Sequence, residues 1–278
     1  MRPGASTCSK GIRGNTAARI RGNTAARQEV DTLPCCRKIG ALGKRGRRKG
    51  SRVSGTILET IQIEPKGRAD AAVILMHGLG ADGHDFESLA SELRLPSAHV
   101  IRWIFPHAPV RPVTINGGYR MRAWYDIVSF DPRTPEDGDG IRESAEAIGA
   151  LVDAERDRGI AADRIILAGF SQGGAIALYT ALRSAERLGG LVGMSCYLPL
   201  ASALEAEASP ANASVPIFLA HGGYDPVVPF MLGEKTRDSL LSLGYDVDWH
   251  TYPMQHSVCA EEVADLRAWL LKALPARG

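Results

Sequence analysis

Ser171 lies in Gly169-Phe170-Ser171-Gln172-Gly173, a G-x-S-x-G pattern. A serine hydroxyl is a weak nucleophile at neutral pH, so it needs a base beside it and a group that orients the base. Five letters occur by chance, and context gives them weight. The pattern follows the apolar run 164–168 (RIILA) and opens the helical stretch GAIALYTAL, the strand–turn–helix setting of a nucleophile elbow. Small residues at 169 and 173 let strand and helix approach. Ser171 is then expected at the tip of the turn with its Oγ exposed, where the helix dipole favours a developing anion.

The chain carries seven histidines, at 77, 84, 99, 107, 221, 250 and 256. An elbow serine is followed in the chain by its acid and then its histidine. His221, His250 and His256 come after Ser171. His250 falls inside a strand, and His221 has no acid on a strand end between it and Ser171. His256 follows the last strand directly and precedes the last helix, which makes it the expected base. Asp225, just past the run PIFLA in HGGYDP, is the expected acid, because Asp238 falls mid-helix and Asp246 sits at the wrong end of a strand. Its role is to orient the His256 ring and stabilise the cation.

The transition-state oxyanion needs donors. One is the backbone N–H of Gln172, the residue after the nucleophile, and the other comes from the loop after an early strand. His77-Gly78-Leu79-Gly80-Ala81-Asp82-Gly83 supplies that loop, with Leu79 N–H as the second donor. A phosphate-binding loop is the rival reading, but neither GxGxxG nor G-K-[ST] is present.

These residues need a scaffold. Continuous apolar runs at 71–76, 100–105, 164–168, 191–194 and 216–220, with 57–63 and 247–252, read as strands, most of them buried on both faces. Helical periodicity falls between them at 140–158, 174–187, 230–243 and 260–274. Alternation of this kind predicts an α/β domain with a doubly wound, mostly parallel sheet, helices on both faces and the site beyond the carboxyl ends of the strands. Segment 131–140 reads as one long acidic surface loop.

Charge divides the 278 residues in two. Of 33 Lys and Arg and 31 Asp and Glu, residues 1–52 hold 14 basic and 2 acidic, leaving 19 basic and 29 acidic in 53–278, so the parts carry +12 and −10. Residues 1–52 repeat IRGNTAAR, hold few large apolar side chains and read as a disordered basic arm on the domain 53–278. The arm is open to three readings: a solvated tail or misplaced start, a transit segment, or a polyanion-binding extension. The chain has no apolar run of membrane-helix length, no secretory signal and no CxxC, which points to a cytoplasmic protein without a structural metal.

Six ordered segments then carry a resemblance: LMHGLGADGHDF (75–86), FPHAPVRPVTINGGYRMRAWYDI (105–127), GFSQGG (169–174), SCYLP (195–199), HGGYDPVVP (221–229) and YPMQHSV (252–258). Together they resemble the carboxylesterase, lysophospholipase and acyl-protein thioesterase family of small α/β hydrolases over roughly 57–274. The middle segment is nearest the bacterial carboxylesterases. The resemblance implies the same triad and the same oxyanion donors. It also implies that Trp124 and the loop around Met121 line an acyl pocket. Gly223-Tyr224 and Gln255 depart from the family pattern, with Tyr224 placed to narrow the site mouth and Cys196 expected as buried packing.

The expected function is hydrolysis of carboxylic esters, thioesters or lysophospholipids through an acyl-enzyme on Ser171. This chemistry needs no cofactor or metal, and its partner is a small ester or thioester rather than nucleic acid. A homodimer is compatible with it. The alternative from another class is a non-catalytic binding protein on a hydrolase scaffold with a polyanion-binding arm. A serine peptidase is disfavoured by the lack of a lid or propeller domain.

Overall fold

The computed structural model describes residues 58–129, 131 and 133–277. The expected arm at 1–52, the boundary at 53 and the expected strand start at Ile57 lie outside the described residues. In chain order the strands are β1 (Thr60–Ile63), β2 (Ala71–Met76), β3 (Ile101–Pro106), β4 (Val110–Val113), β5 (Tyr119–Arg122), β6 (Ile165–Phe170), β7 (Gly190–Met194), β8 (Ile217–Gly222) and β9 (Val247–Tyr252). The helices are α1 (Leu89–Glu92), α2 (Gly138–Asp157), α3 (Gln172–Arg183), α4 (Ala201–Glu207), α5 (Phe230–Ser242) and α6 (Ala260–Ala273).

Seven strands form one sheet in the order β1-β3-β2-β6-β7-β8-β9. Only β1 runs antiparallel to its neighbour β3, and every other pairing is parallel. The apolar runs explain this, because strands covered on both faces have no polar side to offer to water. Alternate residues of β2 enter two cores. Ala72, Ile74 and Met76 pack with Ile141, Ile148 and Val152 of α2 and Ile176 of α3. Ala71, Val73 and Leu75 pack with Leu89 of α1 and with Leu266, Trp269 and Leu270 of α6. The sheet is thus doubly wound, as an α/β-hydrolase sheet is.

The topology places the chemistry. β2, β6, β8 and β9 all run in one direction, so the loops after them meet at one edge of the sheet. β2 and β6 are neighbours with Met76 opposite Gly169, which sets the 77–83 loop beside Ser171.

Some elements differ from expectation. α3 starts at Gln172, two residues before the expected 174, so Ser171 itself is the residue at its N-cap. The acidic segment 131–140 is not loop throughout, because α2 begins at Gly138. Asp137 caps that helix by accepting from Gly140 N–H at 2.9 Å, and also accepts from Asp126 N–H at 2.8 Å, so the segment is tied to the body. The hairpin β4–β5 is an element that the sequence pattern does not predict. Its strands mix arginines with apolar residues, are largely half-exposed and are interrupted by Pro112, and they form a separate two-stranded sheet without the two-sided burial that marks the others.

Candidate active site

Ser171 sits between β6 and α3 with φ 55° and ψ −122°. A non-glycine residue in that region is strained and must be held from outside. The hold is backbone: Ser171 N–H donates to Met194 O at 2.8 Å, and Ser171 O accepts from Ala175 N–H at 3.1 Å. Glycine is required on both sides. A Cβ on Gly169 would overlap the Gly173 backbone, and one on Gly173 would overlap the carbonyls of Met76 and His77. The expected exposure of Ser171 is limited, since the residue keeps only 8% of its surface.

Ser171 Oγ lies 2.9 Å from His256 Nε2, and His256 Nδ1 lies 2.6 Å from Asp225 Oδ2. The carboxylate can only accept, so Nδ1–H donates to it and Nε2 is left bare to accept the serine proton. Asp225 Oδ1 accepts from Val227 N–H at 2.8 Å and Val228 N–H at 2.9 Å. Burial alone would raise the Asp225 carboxyl. The His256 bond and charge, with the two backbone N–H groups, outweigh burial and hold it below its usual range. The His256 ring also packs on Phe170, the variable residue of the elbow, at 4.7 Å between centroids. Two backbone bonds tie the acid loop to the histidine loop: Gly223 N–H to Tyr252 O at 2.8 Å, and Tyr224 N–H to Met254 O at 3.0 Å.

The opposite wall is the loop after β2. Gly78 packs so closely that a Cβ there would lie 3.4 Å from Ser171 Cβ. His77 fixes this loop: its Nε2 accepts from Ala108 N–H at 3.0 Å, so its Nδ1–H donates to Gly78 O at 2.7 Å. The Gly78 carbonyl is thereby held toward His77, and the Leu79 N–H, trans to it across a planar peptide, is turned away from it. Among the described residues neither Leu79 N–H nor Gln172 N–H donates to another group, and Gln172 heads a helix whose first N–H groups have no internal partner. Burial lowers His77 to about 4, so the ring stays a neutral brace.

Trp124 and Gln172 complete that brace. Trp124, which the resemblance implies lines an acyl pocket, has no exposed surface and is packed behind the Gly loop. Its Nε1–H donates to His77 O at 2.8 Å, and its ring lies 5.3 Å from the His77 ring. The Gln172 side chain accepts from Trp124 N–H at 2.8 Å and donates to Tyr125 O at 2.7 Å. Met121, on β5, reaches the Gly loop, where its Sδ would lie 3.6 Å from a Cβ on Gly80.

The other residues singled out from the sequence fall elsewhere. His250 stacks on Phe218 at 4.8 Å and bonds Asp248 at 2.9 Å. Asp238 pairs with Arg237 on the exposed face of α5. Tyr224 is 70% exposed beside Asp225. Cys196 is buried in packing, with its thiol pushed up by burial. The bracing roles of His77 and Phe170 were not legible as spacing. The one signal was that His77 directly follows a buried strand, where a polar ring must find partners.

Known proteins resemble this chain in sequence and in fold. A family profile described as Phospholipase/Carboxylesterase matches residues 59–274. Acyl-protein thioesterase 1 of Neurospora crassa is 43% identical over 218 residues, covering 75% of this chain and 89% of that protein. Acyl-protein thioesterase 1 of Mycosarcoma maydis is 37% identical over 239 residues, covering 80% and 100%. The crystal structure of Zea mays acyl-protein thioesterase 2 superposes with a TM-score of 0.70 at 33% identity, covering 78% of this chain and 99% of that one. With its elbow, its doubly wound sheet and these matches across the described body, the chain belongs to the phospholipase/carboxylesterase family of α/β hydrolases.

Proposed function

We propose that this protein cleaves carboxylic esters or thioesters through an acyl-enzyme on Ser171. Ser171 Oγ attacks the carbonyl carbon while His256 Nε2 takes its proton. Asp225 holds the ring and balances the imidazolium. The N–H groups of Leu79 and Gln172 receive the oxyanion. Collapse of the tetrahedral adduct expels the alcohol or thiol, which takes the proton from His256. Water then repeats the sequence on the acyl-enzyme and releases the carboxylic acid. The observation that carries this reading is the unbroken relay from Ser171 to His256 to Asp225, at 2.9 and 2.6 Å.

The names of the fungal relatives favour a thioester on an acylated protein as the substrate. Met121 beside the Gly loop is assigned to the acyl side, with Trp124 backing the loop from beneath. A cytoplasmic setting fits the free thiols of Cys196 and Cys259. Among the described residues no helix is long and apolar enough to cross a membrane. The test is a panel of p-nitrophenyl esters and acyl thioesters of rising chain length, run on the parent chain and on Ser171→Ala. The variant should lose on the order of 10⁶ in kcat on every substrate. A well-folded Ser171→Ala that keeps its activity would sink the assignment.

A further inference from the structure

We propose that His221 is a positioning residue for Asp225, holding the acid loop through the two faces of a single peptide residue, Val228. His221 lies in β8, 1% exposed, behind the acid loop. Its Nε2 is 2.9 Å from Val228 O. A carbonyl only accepts, so Nε2 carries the hydrogen. Val228 in turn donates its own N–H to Asp225 Oδ1 at 2.9 Å. Val228 is therefore clamped at its oxygen by His221 and clamps Asp225 with its nitrogen. The same Nε2 stands 3.6 Å from Asp225 Oδ2, the oxygen that receives His256. That is beyond a hydrogen bond, so the coupling runs through Val228.

The ring has no room to move. A Cβ on Gly233 of α5 would overlap Nδ1 and would lie 2.9 Å from Cγ and 3.0 Å from Cε1. Phe230 meets the ring edge-on at 5.9 Å, and Trp249 of β9 lies 6.4 Å away. The titratable groups around it are Asp225 and His256. Burial keeps the ring neutral despite the pull of the Val228 carbonyl and Asp225. A proton on Nδ1 would face the α5 backbone.

This inference rests on the Ser171 reading above, and its test separates the two. Three variants are compared with the parent chain and with Ser171→Ala. His221→Phe keeps a ring but loses the N–H. His221→Gln loses the ring but keeps an N–H donor at similar reach. Gly233→Ala pushes on the ring from α5. The readouts are kcat and KM on a soluble p-nitrophenyl ester, the thermal midpoint, and the end point and rate of labelling by a fluorophosphonate. A misplacement near 1 Å costs roughly 10²-fold. His221→Phe should therefore lower kcat and the labelling rate by roughly 10- to 100-fold, with KM and the labelling end point unchanged. His221→Gln should recover at least tenfold of that loss, and Gly233→Ala should lower kcat without touching substrate. A ring that only fills space predicts the reverse order, Phe good and Gln poor, and that result would overturn the inference. If His221→Phe does not fold, His221→Gln decides: a kcat within tenfold of the parent chain supports the inference, and a larger loss at an unchanged thermal midpoint overturns it. An inactive Ser171→Ala beside an unimpaired His221→Phe overturns this inference alone. An active Ser171→Ala overturns both.

Discussion

Replacing Asp225 with Asn tests the relay at its most buried member. The carboxylate side chain is fully covered, and each oxygen has a fixed task. Oδ1 accepts the N–H groups of Val227 and Val228, while Oδ2 accepts His256 Nδ1–H. An asparagine must keep its one carbonyl oxygen on the two backbone donors, since an NH₂ there would meet N–H with N–H. Its NH₂ then faces His256 and donates. Nδ1 becomes the acceptor, the hydrogen moves to Nε2, and Nε2 can no longer take the proton of Ser171. The shape and the backbone bonds survive, so stability should change little. In the serine proteases this wrong-tautomer state costs about 10⁴ in kcat. At about 1.36 kcal/mol per tenfold, that is ~5.4 kcal/mol of transition-state stabilisation. Asp225→Ala differs, because it leaves the N–H groups of Val227 and Val228 without their acceptor, at roughly 1–3 kcal/mol each. The assay is kcat/KM on a p-nitrophenyl ester near pH 8, with the thermal midpoint measured alongside. An Asn variant within tenfold of the parent chain at an unchanged midpoint would refute the relay.

Three further outcomes are expected. Glu262, fully buried in the first turn of α6, is raised from 4.5 to about 8, chiefly by burial. The unfolded chain binds fewer protons here than the folded one between those values, so this group's contribution to stability is lost as pH rises toward 8. His77, lowered from 6.5 to about 4, acts in the opposite sense and only below its unfolded value. Groups common to both chains cancel in the difference, so from pH 6.5 to about pH 8.5 the stability advantage of Glu262→Gln should widen by about 2 kcal/mol, measured by urea unfolding; a constant difference would contradict this. Gly173→Ala would drive a Cβ into the backbone of Met76 and His77, which cannot give way. It should cost ~3 kcal/mol and most of the activity, and a neutral Ala would refute the close approach. Deleting residues 1–52 should leave kcat/KM on a small ester unchanged, because the elements of the site begin at His77; an unfolded product would show that the arm is part of the domain.

The sequence alone determined the residues whose chemistry is local. Ser171 was legible because the elbow needs glycines at fixed offsets after a buried strand, and those offsets are one-dimensional. The sheet was legible because strands covered on both faces must be apolar throughout. His256 and Asp225 followed from chain order and strand ends, which a parallel sheet converts into proximity. Hairpin β4–β5 was not legible, because a half-exposed ribbon has no burial pattern to read. Nor was the true start of α2, where a run of acidic residues that looks like solvated loop supplies its own cap. The tertiary structure alone decided the bracing roles. His77, Trp124 and His221 act through partners at sequence distances from one residue, for Gly78, to 48, for the bond between Trp124 and Gln172. A histidine ending a buried strand announces that it needs partners. Which carbonyl it holds, and so which N–H it frees or which acid it fixes, depends on how the neighbouring loops pack over the sheet.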